Sequence, residues 1–268
     1  MRFLTKNSSQ LSNNRNHAWW RLAGGVFFIA VWQLIAVLMN KEYILPTPVQ
    51  AVVRAAEIFS QADSLKAALF TLSRWLLGLA PALLLGITLG AVCVAYPRVG
   101  AFFSPVFAVI KSIPIVAVIL LALVWFSAPL VPSFAVFLAA FPSAYENSAA
   151  GMRNVDRRLV EMAKVYRFSK SKLIFKLYLP SIRPYAVAAL KTAAGVGLKA
   201  VVVSELVVQP AISVGANMQL ARVTLQTDLL VAWTLLIVLT GYLIDLLLGL
   251  AERNAAAKYS AVVKGIRQ

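Results

Sequence analysis

The sequence predicts an all-α integral membrane protein of about six transmembrane helices, with a cytoplasmic helix–turn–helix between the fourth and the fifth. Three observations lead there. Of 268 residues, 60% are apolar and 13% charged, with mean hydropathy +0.79, whereas a soluble domain is nearer half apolar and a quarter charged. The apolar residues fall in runs long enough to cross about 30 Å of hydrocarbon. The net charge of +16, from 26 Lys and Arg against 10 Asp and Glu, gathers between those runs. In a soluble chain that excess suggests nucleic acid. In a membrane chain basic residues collect in cytoplasmic loops, so no nucleic-acid partner is required.

The expected spans are Trp19–Met39, Leu72–Ala95, Ala101–Phe126, Val131–Tyr145, Tyr185–Val208 and Leu229–Leu250. The first follows Arg15 but ends in Leu38-Met39-Asn40-Lys41 without a small-residue cleavage site, which reads as a retained anchor and not a secretory signal. After it, Leu45-Pro46-Thr47-Pro48 leads into Val49–Ser60. There Val49, Val52, Val53 and Ala56 recur at helical spacing, an amphipathic helix on the membrane surface or against the bundle. In the second span Ala82, Gly86 and Gly90 form a small-xxx-small stripe for close helix packing. Pro114 interrupts the third run, so a kink or break is expected there, with Ser112 able to satisfy a freed carbonyl.

Even spans place both termini on one side. With the N-terminus inside, eighteen of the 26 basic residues fall on the cytoplasmic side, nine of them between Arg153 and Arg183, against Lys41, Arg54, Lys66 and Arg222 outside. Both termini are therefore expected to be cytoplasmic. Arg74, Lys111, Lys191 and Lys199 remain in or at the ends of apolar runs. Arg74 is near enough to a span end to reach the interface along its own stem. Lys111, Lys191 and Lys199 either snorkel likewise or face a wet cavity, as intramembrane cations do.

The interval from Gly151 to Pro184 is more organised than a linker. Asp156 sits at a helix start, where an anion suits the macrodipole. Leu159, Met162, Ala163 and Tyr166 then form an apolar stripe on an otherwise charged helix carrying Arg157, Arg158, Glu161 and Lys164. Ser169 can cap a second helix, which Leu179-Pro180 is expected to end before Pro184 opens the next span. The stripe can seat against the underside of its own bundle or in a groove on a partner.

Here the chain resembles the membrane subunits, or permeases, of ATP-binding-cassette importers that work with a solute-binding protein. Their loop pattern Glu-Ala-Ala-x-x-x-Gly, followed by Leu-Pro, is matched by Glu161-Met162-Ala163-Lys164-Val165-Tyr166-Arg167 and Leu179-Pro180, with Met162 replacing an alanine and Arg167 the glycine. The likeness runs from about Leu45 to Arg253 and is greatest to the nitrate, sulfonate and taurine importer group. It is carried by Leu45-Pro46-Thr47-Pro48, Leu72 to Gly78, Lys111-Ser112-Ile113-Pro114, Trp125-Phe126, Val155 to Leu159 and Ala200 to Leu206. Ser127-Ala128-Pro129 departs from the glycine usual after Trp-Phe.

The resemblance implies a type I importer permease fold in a bacterial-type cytoplasmic (inner) membrane. It divides the chain into a cytoplasmic tail (1–18), one transmembrane permease domain (19–251) with a coupling loop at 151–183, and a basic cytoplasmic tail (252–268). Its implied partners are ATP-binding-cassette ATPase subunits, a second permease copy in a homodimer, a solute-binding protein and membrane lipids. ATP and Mg would be bound by the ATPase, and this chain would hold no cofactor. Leu159, Glu161, Met162, Ala163, Tyr166, Arg167, Leu179 and Pro180 would form the ATPase-coupling element. Lys111, Ser112, Pro114, Lys191, Lys199 and Glu205 are candidates for the translocation pathway. Arg167 can still take the left-handed turn that the glycine serves, at a cost of roughly 1 kcal/mol.

The chain offers no chemistry of its own. Gly195-Val196-Gly197-Leu198-Lys199 is a fragment of a phosphate loop inside an apolar span with no strand before it. His17 lies in a polar tail without ligand partners, and the single cysteine, Cys93, excludes an intrachain disulfide, so no metal site or enzyme constellation is expected. Glu146, Glu205 and Asp245 are acids in or near spans, and Glu205 fits either a structural role near the outer gate or solute contact. An ion- or proton-coupled secondary carrier and a non-transporting scaffold are the alternatives to a permease. The solute could be a small anion of the nitrate, sulfonate or taurine kind, or a small heterocyclic vitamin precursor.

Overall fold

A computed structural model of the protein describes residues 6–266 apart from Glu42. Arg2, Glu42 and Arg267 lie outside the described residues, as do the side chains of Lys6, Arg15, His17, Arg21, Arg157, Lys164, Lys170, Arg253, Lys258 and Lys264. The described residues form helices and no strand.

The first helix, α1 (Lys6–Met39), and the last, α11 (Thr227–Ile266), both run past the expected span ends into the tails. Between them come α2 (Pro48–Ser60), α3 (Ala62–Ala95), α4 (Pro97–Ser112), α5 (Ile115–Trp125) and α6 (Val131–Arg153). Then follow α7 (Arg157–Val165), α8 (Lys170–Leu173), a π turn (Ile174–Tyr178), α9 (Leu179–Val208) and α10 (Val214–Val223). Four helices, α1, α3, α9 and α11, contain segments long and apolar enough to cross a membrane alone, and the bent pair α4–α5 makes five if counted as one span. The expected fourth span is α6, which is not apolar enough by itself because Ser143, Glu146, Asn147 and Ser148 interrupt it. It is tolerated because α6 is sandwiched between α3 and α9, and its inward positions, from Val131 and Ala135 to Ala144 and Ser148, are buried in protein.

The α3–α6 contact explains the small-residue stripe. Ala82 is fully buried, and a Cβ at Gly86 or Gly90 would approach Ala144 Cβ or Tyr145 O to 2.6 Å, so only glycine lets these backbones meet. Gly78 extends the stripe by one turn, a Cβ there running into Ser133 O. Ser148 Oγ donates to Ile87 O at 2.8 Å across the same seam. Trp75 Nε1 donates to Ala194 O at 3.1 Å, tying α3 to α9.

The expected amphipathic helix is α2. Thr47 caps it, accepting from Gln50 N, while the Gln50 side chain accepts from Thr47 N at 2.8 Å. Its Val49, Val52, Val53 and Ala56 face is exposed, and Ala51 and Ile58 pack inward, so the predicted stripe points away from the bundle. Arg54 of α2 reaches Asp228 of α11 at 2.9 Å and Glu57 at 2.6 Å. The hydrogen bond to Glu57 leads in raising the already high pKa of Arg54.

The third apolar run breaks as expected, but far more sharply than a proline kink. α4 and α5 meet at 101°. Pro114 cannot donate to the carbonyl of Ile110, and Ser112 Oγ does not rescue it, donating instead to Ala108 O at 2.9 Å.

Candidate functional site

The loop after α6 starts where Gly151 meets Tyr185, a contact so close that a Cβ at Gly151 would lie 2.8 Å from the Tyr185 Cβ. Asp156 Oδ1 accepts from Arg158 N at 2.8 Å and starts α7. α7 ends in a left-handed turn: Arg167 has φ 50°, Tyr166 N donates to Met162 O at 3.0 Å, and Phe168 N donates to Ala163 O at 2.9 Å. The last of these is the six-to-one bond that closes helices on a left-handed residue. Ser169 Oγ then accepts from Lys172 N at 3.3 Å and caps α8.

One expectation here is corrected. Leu179-Pro180 does not end the second helix. α8 passes through the π turn into α9, and Pro184 lies inside α9. A proline clashes with the carbonyl four residues back, and the wider π turn immediately before Leu179 makes room for Pro180, with Ser181 Oγ donating to Leu177 O at 2.7 Å. The loop after α6 is therefore continuous with a spanning helix on its C-terminal side.

The predicted stripe divides. Ala163 is 2% exposed and Val155 is also buried, whereas Leu159, Met162 and Tyr166 are exposed at 40%, 47% and 71%. Val165 and Phe168, which helical spacing alone did not single out, add to the exposed apolar surface. Glu161, Leu179 and Pro180 are exposed as well. α7 thus keeps one small residue inward and offers its large ones outward.

The pathway candidates scatter over three places. Lys111, in the last turn of α4, forms an ion pair with Glu146 of α6. Lys111 and Lys199 line one cavity of about 400 Å³ in the elbow of α4 and α5, walled otherwise by apolar side chains of α4, α5, α6 and α9. Lys191 is elsewhere, paired with Glu252 of α11 at 2.6 Å. Glu205 is fully buried, so it is not exposed to a solute path.

Glu205 belongs to a polar network joining α3, α9 and α10. It accepts from Arg74 Nη1 at 2.8 Å, Thr71 Oγ1 at 2.9 Å and Gly215 N at 3.2 Å. Arg74 also donates to Ile212 O at 2.9 Å, and Thr71 Oγ1 accepts from Val214 N at 3.1 Å. The expectation that Arg74 reaches outward to the interface is thus overturned: it is 7% exposed and turned inward, because a carboxylate and a carbonyl lie within reach there and apolar lipid does not. Thr71 was missed from sequence. Its signal is the spacing Thr71–Arg74, which puts hydroxyl and guanidinium on one face of α3.

Residues 82–256 match the family described as binding-protein-dependent transport system inner membrane component. A Bacillus subtilis (strain 168) chain named for aliphatic sulfonates transport is 29% identical over 228 residues, 84% of this chain and 82% of that one. The taurine transport system permease of Escherichia coli (strain K12) is 25% identical over 233 residues, 84% of each. A formylaminopyrimidine transport permease of Halalkalibacterium halodurans is 26% identical over 172 residues, 63% of this chain and 67% of that one. With more than half its length matched to that family, and with an all-helical fold, the chain belongs to the binding-protein-dependent inner membrane components as an ABC importer permease of the sulfonate, taurine and nitrate group.

Proposed function

We propose that this permease is driven by separate ATPase subunits that seat on its 151–183 loop, and that it imports a small solute delivered by a binding protein. The single observation that carries this reading is the outward apolar face of α7, Leu159, Met162, Val165 and Tyr166, set off from α8 by the left-handed turn at Arg167. Such a short amphipathic helix, offered on a basic loop, suits insertion into a groove of a partner. In this reading the chain makes six crossings, counting α6 and the α4–α5 pair, with the loop and both termini cytoplasmic. Two copies face each other, and ATP and Mg reside in the ATPases. Binding of ATP closes the ATPases and turns the pathway outward to the loaded binding protein, and hydrolysis resets it. The solute is an anion of the sulfonate, taurine or nitrate kind, or a small heterocycle such as formylaminopyrimidine.

Co-expression of the permease with its ATPase tests this directly. The two should co-purify, and charge reversal at Glu161 and Arg167 or deletion of Glu161–Arg167 should abolish recovery of the ATPase while the membrane domain remains folded. ATPase recovery unaffected by those changes refutes the coupling role. Solute transport in liposomes by the permease alone would favour a secondary carrier instead.

A further inference from the structure

Two cavities of the bundle share one residue. The elbow cavity, about 400 Å³, is lined by two charged residues, Lys199 and Lys111. A second cavity of about 680 Å³ lies between the inner ends of α3, α4 and α6, and its charged residues are Lys111 and Arg153, with Ser104, Tyr145 and Cys93 as further polar groups. No acidic residue lines either cavity among the described residues. Lys111 stands where the two adjoin.

The three cations sit at three depths. Lys199 is nine residues before the outer end of α9, about 13 Å along the helix at 1.5 Å per residue. Arg153 is in the last turn of α6, at its inner end, and Lys111 lies between, beside Glu146. A lysine inside the bilayer is unfavourable unless a counter-charge or water meets it. Lys111 has Glu146, and Lys191 has Glu252, but Lys199 has no carboxylate within ion-pair distance among the described residues. Its ammonium borders a cavity that is apolar apart from Lys111, where an electrostatic contact is stronger than in water. A neutral heterocycle would leave that charge unanswered; a small anion would neutralise it.

We propose that Lys199, Lys111 and Arg153 are successive contacts for a small, singly charged oxyanion descending from the elbow cavity to the inner one, with Lys199 setting the preference for an anion over an uncharged solute. This rests on the importer reading and narrows its substrate class. Glu146 holds Lys111 while no anion is present, and the anion replaces the carboxylate as it passes. At Lys111 the anion competes with Glu146, which keeps that site from trapping it.

The test uses the complete importer, permease with ATPase and binding protein, in proteoliposomes. The probes are methanesulfonate, ethanesulfonate, nitrate and uncharged formylaminopyrimidine, each labelled. ATP-driven uptake of at least one of the three anionic probes is expected. Lys199→Met should lower that uptake tenfold or more, the loss that follows removal of a charge-assisted partner. Lys199→Arg should keep at least a third of it. Lys199→Gln replaces the methionine variant if that one fails to assemble, assembly being read from ATPase activity in the absence of binding protein. Uptake of formylaminopyrimidine alone, or of none of the probes while the loaded binding protein still stimulates ATP hydrolysis, overturns the anion path and leaves the importer reading standing. So does anion uptake by Lys199→Met at the unsubstituted rate, or a Lys199→Arg variant as defective as the methionine one. An ATPase indifferent to the binding protein, with no uptake of any probe, overturns the importer reading and this inference with it.

Discussion

Removing the carboxylate of Glu205 should be the most damaging single change where α3, α9 and α10 meet. Glu205 is fully buried and accepts three hydrogen bonds, from Arg74 at 2.8 Å, Thr71 at 2.9 Å and Gly215 at 3.2 Å. In Glu205→Leu the guanidinium of Arg74 remains buried with the Ile212 carbonyl as its one hydrogen-bond acceptor among the described residues. Breaking a buried pair from one side costs about 3–5 kcal/mol, because the stranded charge keeps its desolvation penalty. Arg74→Met strands the carboxylate instead, and the Thr71 and Gly215 donors soften the loss toward the lower end of that range. Replacing both, as Arg74→Met with Glu205→Leu, removes both penalties, so the double variant should lie well below the sum of the singles. The expected coupling is about 3 kcal/mol. Equilibrium denaturation of the detergent-purified chain, followed by tryptophan fluorescence or circular dichroism, measures all four corners of the cycle. Additive single effects, with coupling under about 0.5 kcal/mol, would refute the buried pair.

Three further outcomes follow from the same geometry. Arg167→Gly should stabilise the loop by roughly 1 kcal/mol in the same denaturation assay, since Arg167 is held at φ 50°, and Arg167→Val should weaken it, a β-branched residue being worst there. Met162→Ala with Tyr166→Ala should weaken ATPase binding at least tenfold without loss of folding, because burial of each side chain is worth about 1.5–3 kcal/mol and both are exposed in the free chain; microscale thermophoresis of the permease with its ATPase reads this. Gly90→Ala should cost about 1–3 kcal/mol by overpacking, its Cβ falling 2.6 Å from Tyr145 O, while Gly195→Ala, with nothing within 4 Å, should be neutral or slightly stabilising.

What was legible in the sequence follows from how local each cause is. Apolar runs mark α1, α3, α9 and α11 because lipid demands continuous apolarity, and Pro114 marks the α4–α5 break because its missing donor acts within one turn. The turn at Arg167 is legible only through the resemblance, whose motif has glycine there, because nothing in an arginine itself marks a left-handed residue. Arg74 does not read correctly, since its partner Glu205 lies 131 residues away and no local pattern distinguishes an inward guanidinium from an outward one. The face of α2 stays open between membrane surface and bundle for a related reason: in a chain next to lipid, an apolar stripe can face out as favourably as in, and Val49, Val52, Val53 and Ala56 face out. Leu179-Pro180 reads as a helix end because proline normally stops an α-helix, whereas a five-residue π turn here lets the chain pass through. Among the pathway candidates, Lys111 and Lys199 are brought to one cavity, but Lys191 and Glu205 are not, a distinction that depends on helix rotation and not on spacing.

The central claim, that α7 is the contact through which ATP hydrolysis reaches the membrane, is tested most directly by cross-linking. Cys93 is the single cysteine and is buried, so Tyr166→Cys in a Cys93→Ala background carries one reactive thiol on the exposed face of α7. A short bifunctional cross-link from that position to the ATPase subunit is expected in inside-out vesicles, with a yield that changes on ATP binding. A thiol at Tyr166 that reacts only from the opposite side of the membrane, or that never joins the ATPase while Val53→Cys on α2 does, would contradict it.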